Sequence, residues 1–113
     1  MKATVPIKVS IYEKADGSVP FEKWLDSLDI KARARLLARI AKVRSGNLGD
    51  WSSLKTAEGV CEFREFFGPG YRVYFARQEQ QVILLLCGSD KSDQKKAIKL
   101  AVEYWLDYQN RAV

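Results

Sequence analysis

Gly68-Pro69-Gly70 lies between two runs rich in aromatic residues, "CEFREFF" and "YRVYF", and that trio is strong turn chemistry. The stretch reads as a β-hairpin, so any sheet this chain builds contains an antiparallel pair here. With a three-residue loop, Phe67 opposes Tyr71, Phe66 opposes Arg72 and Arg64 opposes Tyr74. Side chains alternate across a strand, which puts Glu62, Arg64, Phe66, Arg72 and Tyr74 on one face and Cys61, Phe63, Val73 and Phe75 on the other. The second set is a core face. The first gathers two guanidiniums, a carboxylate and a phenol on what reads as the solvent side.

The rest of the chain supplies partners for this hairpin. Ile7, Val9 and Ile11 alternate with polar neighbours as a first strand, and a short strand is expected around Trp51 to Leu54. Val82 to Cys87 is continuously apolar, as in a strand covered on both faces, and Gly88 ends it. Ser18 can cap a helix with an early Pro20, whose Phe21, Trp24, Leu25 and Leu28 fall on one side. A second helix runs from Asp29 to Ser45, with Ile30, Ala34, Leu37 and Ala41 on an apolar arc widened by Leu36, Ile40 and Val43. A last helix, from about Ser92 to Gln109, carries Ile98, Ala101, Trp105 and Tyr108. The expected fold class is α+β: a small antiparallel sheet of about four strands, two N-terminal helices and a C-terminal helix. A chain of 113 residues fits one domain, 1–113.

Nineteen Lys and Arg against fourteen Asp and Glu give a net charge of +5, which favours a polyanion or an acidic protein as partner. Six basic residues and no acidic one lie between Lys31 and Arg44. With no histidine and two cysteines, a zinc or copper site has too few of its usual ligands, so neither metal nor other cofactor is expected. The cysteines read as small core hydrophobes in a reducing compartment. No apolar run is long enough for a bilayer span or a signal peptide, which makes a cytoplasmic location and no membrane partner the expectation.

The order "SLKTAEGVCEFREFFGPGYRVYF", then "ILLLCGSDKSDQKKAIKLA", resembles the RelE/ParE superfamily of bacterial toxin–antitoxin toxins, and most closely its HigB-like addiction module killer branch. The resemblance runs from "FEKWLDSL" through "GSDKSDQ" and implies a sheet with two helices at one side and a carboxy-terminal helix. It implies an mRNA interferase that cuts mRNA in the ribosomal A site, with the ribosome, mRNA and a helix-turn-helix antitoxin as partners. ParE-like relatives, which poison DNA gyrase without cutting RNA, are the alternative. The family's Gly-Tyr-Arg arginine, which stabilises the scissile phosphate, falls on Arg72. Its basic position in the preceding strand falls on Arg64, the basic residue after the last strand on Lys91, and a frequently basic position before the hairpin on Lys55.

Metal-free cleavage of RNA turns the 2′-OH against the adjacent phosphate, giving a 2′,3′-cyclic phosphate and a 5′-OH. It needs a proton acceptor, cations on the non-bridging oxygens and a proton donor for the leaving oxygen. Arginine forks suit the phosphate oxygens. Glu62, Tyr74, Asp90 and Lys91 are the candidates for proton transfer, each of them needing a shifted pKa or acting by charge alone. Asp90 can equally be a helix-start residue and Tyr74 a packed aromatic. Arg64 and Arg72 can equally be a solvated face paired with Glu62. Lys31, Arg35, Arg39 and Lys42 form a basic helix stripe that is either an ordinary wet face or a contact for RNA backbone. Trp51 is the one tryptophan considered for base stacking.

Overall fold

The computed structural model describes residues 5–55 and 57–111. Its elements, in order, are β1 (Lys8–Ile11), α1 (Pro20–Asp26), α2 (Ile30–Arg44), β2 (Trp51–Ser53), β3 (Val60–Glu65), β4 (Tyr71–Glu79), β5 (Val82–Asp90), a 3₁₀ turn (Lys91–Asp93) and α3 (Gln94–Arg111). The strands form one five-stranded sheet in the order β1-β5-β4-β3-β2. The expected sheet of about four antiparallel strands is therefore corrected to five strands, and it is mixed, because β1 pairs with β5 in parallel. A parallel pair needs a crossover connection, and α1 and α2 lie in the long segment between the two strands.

Both faces of the sheet are covered. Phe21 and Leu25 of α1 and Ala32, Leu36, Ile40 and Val43 of α2 pack with Cys61, Phe63, Val73, Phe75, Ile83 and Leu85. On the opposite face, Ala97 and Ala101 of α3 meet Val60, Tyr74, Ala76, Leu84, Leu86 and Cys87. This explains the unbroken apolar run in β5, whose two sides each face a helical layer. A register shift between Tyr74 and Phe75 sets Cys87 against Tyr74 and Leu85 against Phe75. Both cysteines are buried free thiols. Burial pushes the Cys87 thiol up to about 12, which leaves it inert at neutral pH.

Of three local expectations, two change and one holds. The first helix starts on Val19, with no side-chain cap, while the Ser18 backbone and hydroxyl are drawn back to Asp16 Oδ1. The second helix begins where expected, with Asp29 as its cap accepting a hydrogen bond from Ala32 N at 2.9 Å. The arc Ile30, Ala34, Leu37, Ala41 does not face the core: Ile30 is 75% and Leu37 48% exposed, and the buried stripe is Ala32, Leu36, Ile40, Val43.

Strand β5 also runs past Gly88 to Asp90. Gly88 is there because the indole of Trp24 lies on its backbone: a Cβ at this position would come 2.4 Å from ring atoms Cε3 and Cζ3. Gly88→Ala is expected to displace Trp24 and cost roughly 1–3 kcal/mol through overpacking, read as a lower melting temperature. An unchanged melt would mean that α1 rides freely on the sheet.

Candidate functional site

The hairpin register is Glu65↔Tyr71, Arg64↔Arg72, Phe63↔Val73, Glu62↔Tyr74. The turn is thus longer than the three-residue loop expected, running through Phe66 and Phe67, with Gly70 N donating to Phe67 O at 3.1 Å. The aromatic contact between Phe67 and Tyr71, with centroids 5.2 Å apart, holds Phe67 inside the turn and out of the ladder. The slip moves every partner by an even number, so the two faces keep their members while the pairs change. Arg64 now stands directly opposite Arg72.

Arg72 in turn pairs with Ser89 of β5, and Tyr74 with Cys87, so one polar row crosses three strands as Arg64, Arg72, Ser89. Behind it lie Glu62 and Tyr74. This face is not the open solvent side expected from the sequence, because α3 covers its lower half. Tyr74 is fully buried, Glu62 is 6% exposed and Ser89 4% exposed. The Tyr74 hydroxyl and Ser89 Oγ share a hydrogen bond of 3.0 Å. Burial pushes the Tyr74 phenol above its ordinary range, against the smaller opposing pull of that bond, so it stays protonated at neutral pH.

The two arginines are held loosely by acids. Arg72 Nε lies 3.7 Å from Glu62 Oε2, with side chains 12% and 8% exposed, and Arg64 Nη2 lies 3.6 Å from Asp50 Oδ1. Both distances exceed an ordinary charge-assisted hydrogen bond. Among the described residues, Arg72 Nε, Arg64 Nε and Glu62 Oε2 are buried without a hydrogen-bond partner. Like charges directly opposite on neighbouring strands oppose pairing, and unspent buried donors add to that cost. An anion placed against the row would relieve both.

Lys91 and Asp90 reach the same end of the sheet, since Asp90 pairs with Tyr71 and a Cβ on Gly70 would lie 3.7 Å from Lys91 Cβ. Asp90 caps the 3₁₀ turn, accepting from Ser92 Oγ at 2.6 Å and Ser92 N at 2.9 Å. Those bonds, the hydroxyl's first, hold its carboxyl below the usual carboxylate range. Lys55 is exposed beyond β2, at the Val60 end of β3, away from the arginine row.

The helical basic stripe divides. Lys31, Arg35 and Lys42 are exposed, on the face of the sheet opposite the arginine row. The Arg35 guanidinium sits 4.0 Å over the Phe67 ring. Arg39 is a different kind of residue: its Nη1 donates to Glu65 Oε1 at 2.6 Å and Arg64 O at 3.1 Å, and its Nη2 to Leu48 O at 2.9 Å and Asp50 O at 3.1 Å. It ties α2 to the end of β3 and sets the backbone from which Arg64 projects. Gly49, at φ +65°, makes room, because a Cβ there would come 2.9 Å from Arg39 Nη2. Trp51 packs 6.2 Å from Phe75, centroid to centroid, with the Arg77 guanidinium 5.1 Å over its ring, which fits a core-edge residue.

Ser89 is the member of the row that sequence reasoning missed. Ending β5 at Gly88 hid it, although "CGS" continues the alternation that places Ser89 on the side of Cys87.

No helix among the described residues is long and apolar enough to cross a membrane. An uncharacterized protein of Haemophilus influenzae is 42% identical over 85 residues, which span 74% of this chain and 84% of that protein. The family described as phage derived protein Gp49-like matches residues 23–103. That span opens within α1 and closes within α3, and so contains the whole polar row together with the hairpin and the strand that carry it. The chain is a member of the phage derived Gp49-like protein family.

Proposed function

We propose that this protein is the toxin of a toxin–antitoxin module, a ribosome-dependent mRNA endonuclease of the RelE/ParE type. The observation that carries the reading is the facing of Arg64 and Arg72 across two strands, each with a buried Nε that makes no hydrogen bond. Such a pair is a receptor for a phosphodiester, and its forks tighten as charge builds on the non-bridging oxygens during attack by the 2′-OH. Lys91, exposed beside the turn, supplies a third cation at the same end of the sheet. Glu62 acts through Arg72: buried beneath it, it sets the guanidinium's direction and is a positioning residue. Tyr74 positions Ser89 in the same way.

The site is rich in charge stabilisation and poor in bases. Glu62 is covered, the Tyr74 phenol is protonated and Asp90 is spent on its cap. Orientation of the 2′-OH and removal of its proton then fall to the surroundings of the mRNA, which is why the ribosome is part of the reading. Purified protein is expected to cut mRNA on programmed ribosomes far faster than the same RNA free in solution. In cells, expression without a partner is expected to stop translation before replication. Equal cleavage of both substrates would remove the ribosome from the mechanism. DNA synthesis failing first, with mRNA intact, would replace the reading by gyrase poisoning.

A further inference from the structure

We propose that the outer face of α2 is a docking surface for an amphipathic helix of a partner protein, apolar along its seam and acidic on both flanks. The inference is independent of the nuclease reading. Ile30, Ala34, Leu37 and Ala41 are all exposed and fall at alternating spacings of four and three, the seam of a helix that pairs with another helix. The core contact of α2 is made by Ala32, Leu36, Ile40 and Val43, on the far side of its axis, and among the described residues the seam stays exposed. The stripe runs about 16 Å along the axis at 1.5 Å per residue.

What borders the seam identifies the occupant. At 100° per residue, Lys31, Arg35 and Lys42 lie along one margin and Arg33 and Arg44 along the other, and α2 carries no acidic residue. A second copy of this chain would bring basic margin against basic margin in either direction, which disfavours self-pairing. RNA backbone would use the margins and leave Ile30 and Leu37 in water. An acidic amphipathic helix satisfies both parts: the apolar seam is buried, and each margin meets carboxylates at the e and g positions.

The test uses the full-length protein and a synthetic helical peptide with leucines at heptad a and d positions and glutamates at e and g. The peptide is expected to bind and to shift the α2 amide signals, with an on-rate that falls as salt rises. Joint replacement Ile30→Asp and Leu37→Asp is expected to weaken it roughly tenfold or more, as is Lys31→Glu with Lys42→Glu. Because these side chains are exposed, circular dichroism and melting should match wild type. A companion peptide with lysines at e and g should not bind. Absence of binding, or equal binding of the two peptides, overturns the proposal. So does a homodimer of the free protein that Leu37→Asp dissociates. An oligoribonucleotide that displaces the peptide and is indifferent to Ile30→Asp and Leu37→Asp would assign the face to RNA instead.

Discussion

Arg72→Lys is expected to leave the protein folded and take away its toxicity. Lysine keeps the positive charge above Glu62 but loses the planar fork that meets two phosphate oxygens at once. Removing such a donor from a charge-stabilising site costs roughly 2.7–4 kcal/mol of barrier, or a factor of about 10²–10³ in rate. Arg72→Ala is a poorer probe. The face that reads as solvent-exposed in the sequence is covered here: Arg72 is 12% exposed and is the partner of a carboxylate 8% exposed. Removing one member of a buried pair costs roughly 3–5 kcal/mol, and the 3.7 Å separation puts this pair at the low end. Arg72→Ala is therefore expected to lower soluble yield, and adding Glu62→Gln to restore it without restoring toxicity. Growth, yield and thermal melts of the three variants separate the two effects. A folded Arg72→Lys as toxic as wild type would reduce the polar row to a structural feature.

Arg39→Ala is expected to be the most destabilising change at any basic residue of α2. Its guanidinium closes an ion pair with Glu65, and the two side chains are only 12% and 22% exposed. It also satisfies the carbonyls of Leu48, Asp50 and Arg64. The loss should approach roughly 3 kcal/mol and lower the melting temperature by about 10 °C. Lys42→Ala, on the same helix but in water, should stay within about 0.5 kcal/mol of wild type. If both variants melt like wild type, Arg39 belongs with the solvated stripe after all. Arg39→Ala should also blunt the site, since the backbone that carries Arg64 would be released.

Local chemistry made the hairpin, the doubly covered strand β5 and the three helices readable in the residues themselves. Register was less legible: Gly68-Pro69-Gly70 marks a turn but does not count its residues, and the Phe67–Tyr71 contact that lengthens the turn arises only in three dimensions. Because the slip was even, the grouping of Glu62, Arg64, Arg72 and Tyr74 survived it. In α2, two apolar arcs of similar spacing compete, and periodicity has no means to choose the one that packs. Position 39 falls three residues after Leu36 and four before Val43, beside the buried stripe, and that placement outweighs its charge. The cover that α3 gives to Tyr74 and Glu62 depends on the path of the chain after β5, which no local pattern encodes.

The pairing of β1 with β5 bears on the order in which the molecule can be made. Val9 waits for Ile83 and Ile11 for Leu85, so the first strand to be synthesised has no neighbour until the last one exists. A ribosome adding about 5–20 residues per second holds β1 unpaired for several seconds while the intervening helices and hairpin emerge. Contacts this distant in sequence also slow closure of the finished chain. A polypeptide interrupted before Val82 lacks the strand that joins β1 to β4 and, with it, Ser89 of the polar row and the neighbouring Lys91. The hairpin sets Arg64 against Arg72 early, because β3 and β4 are neighbours in sequence, but Ser89 joins them only when β5 pairs with β4, so the site is completed last.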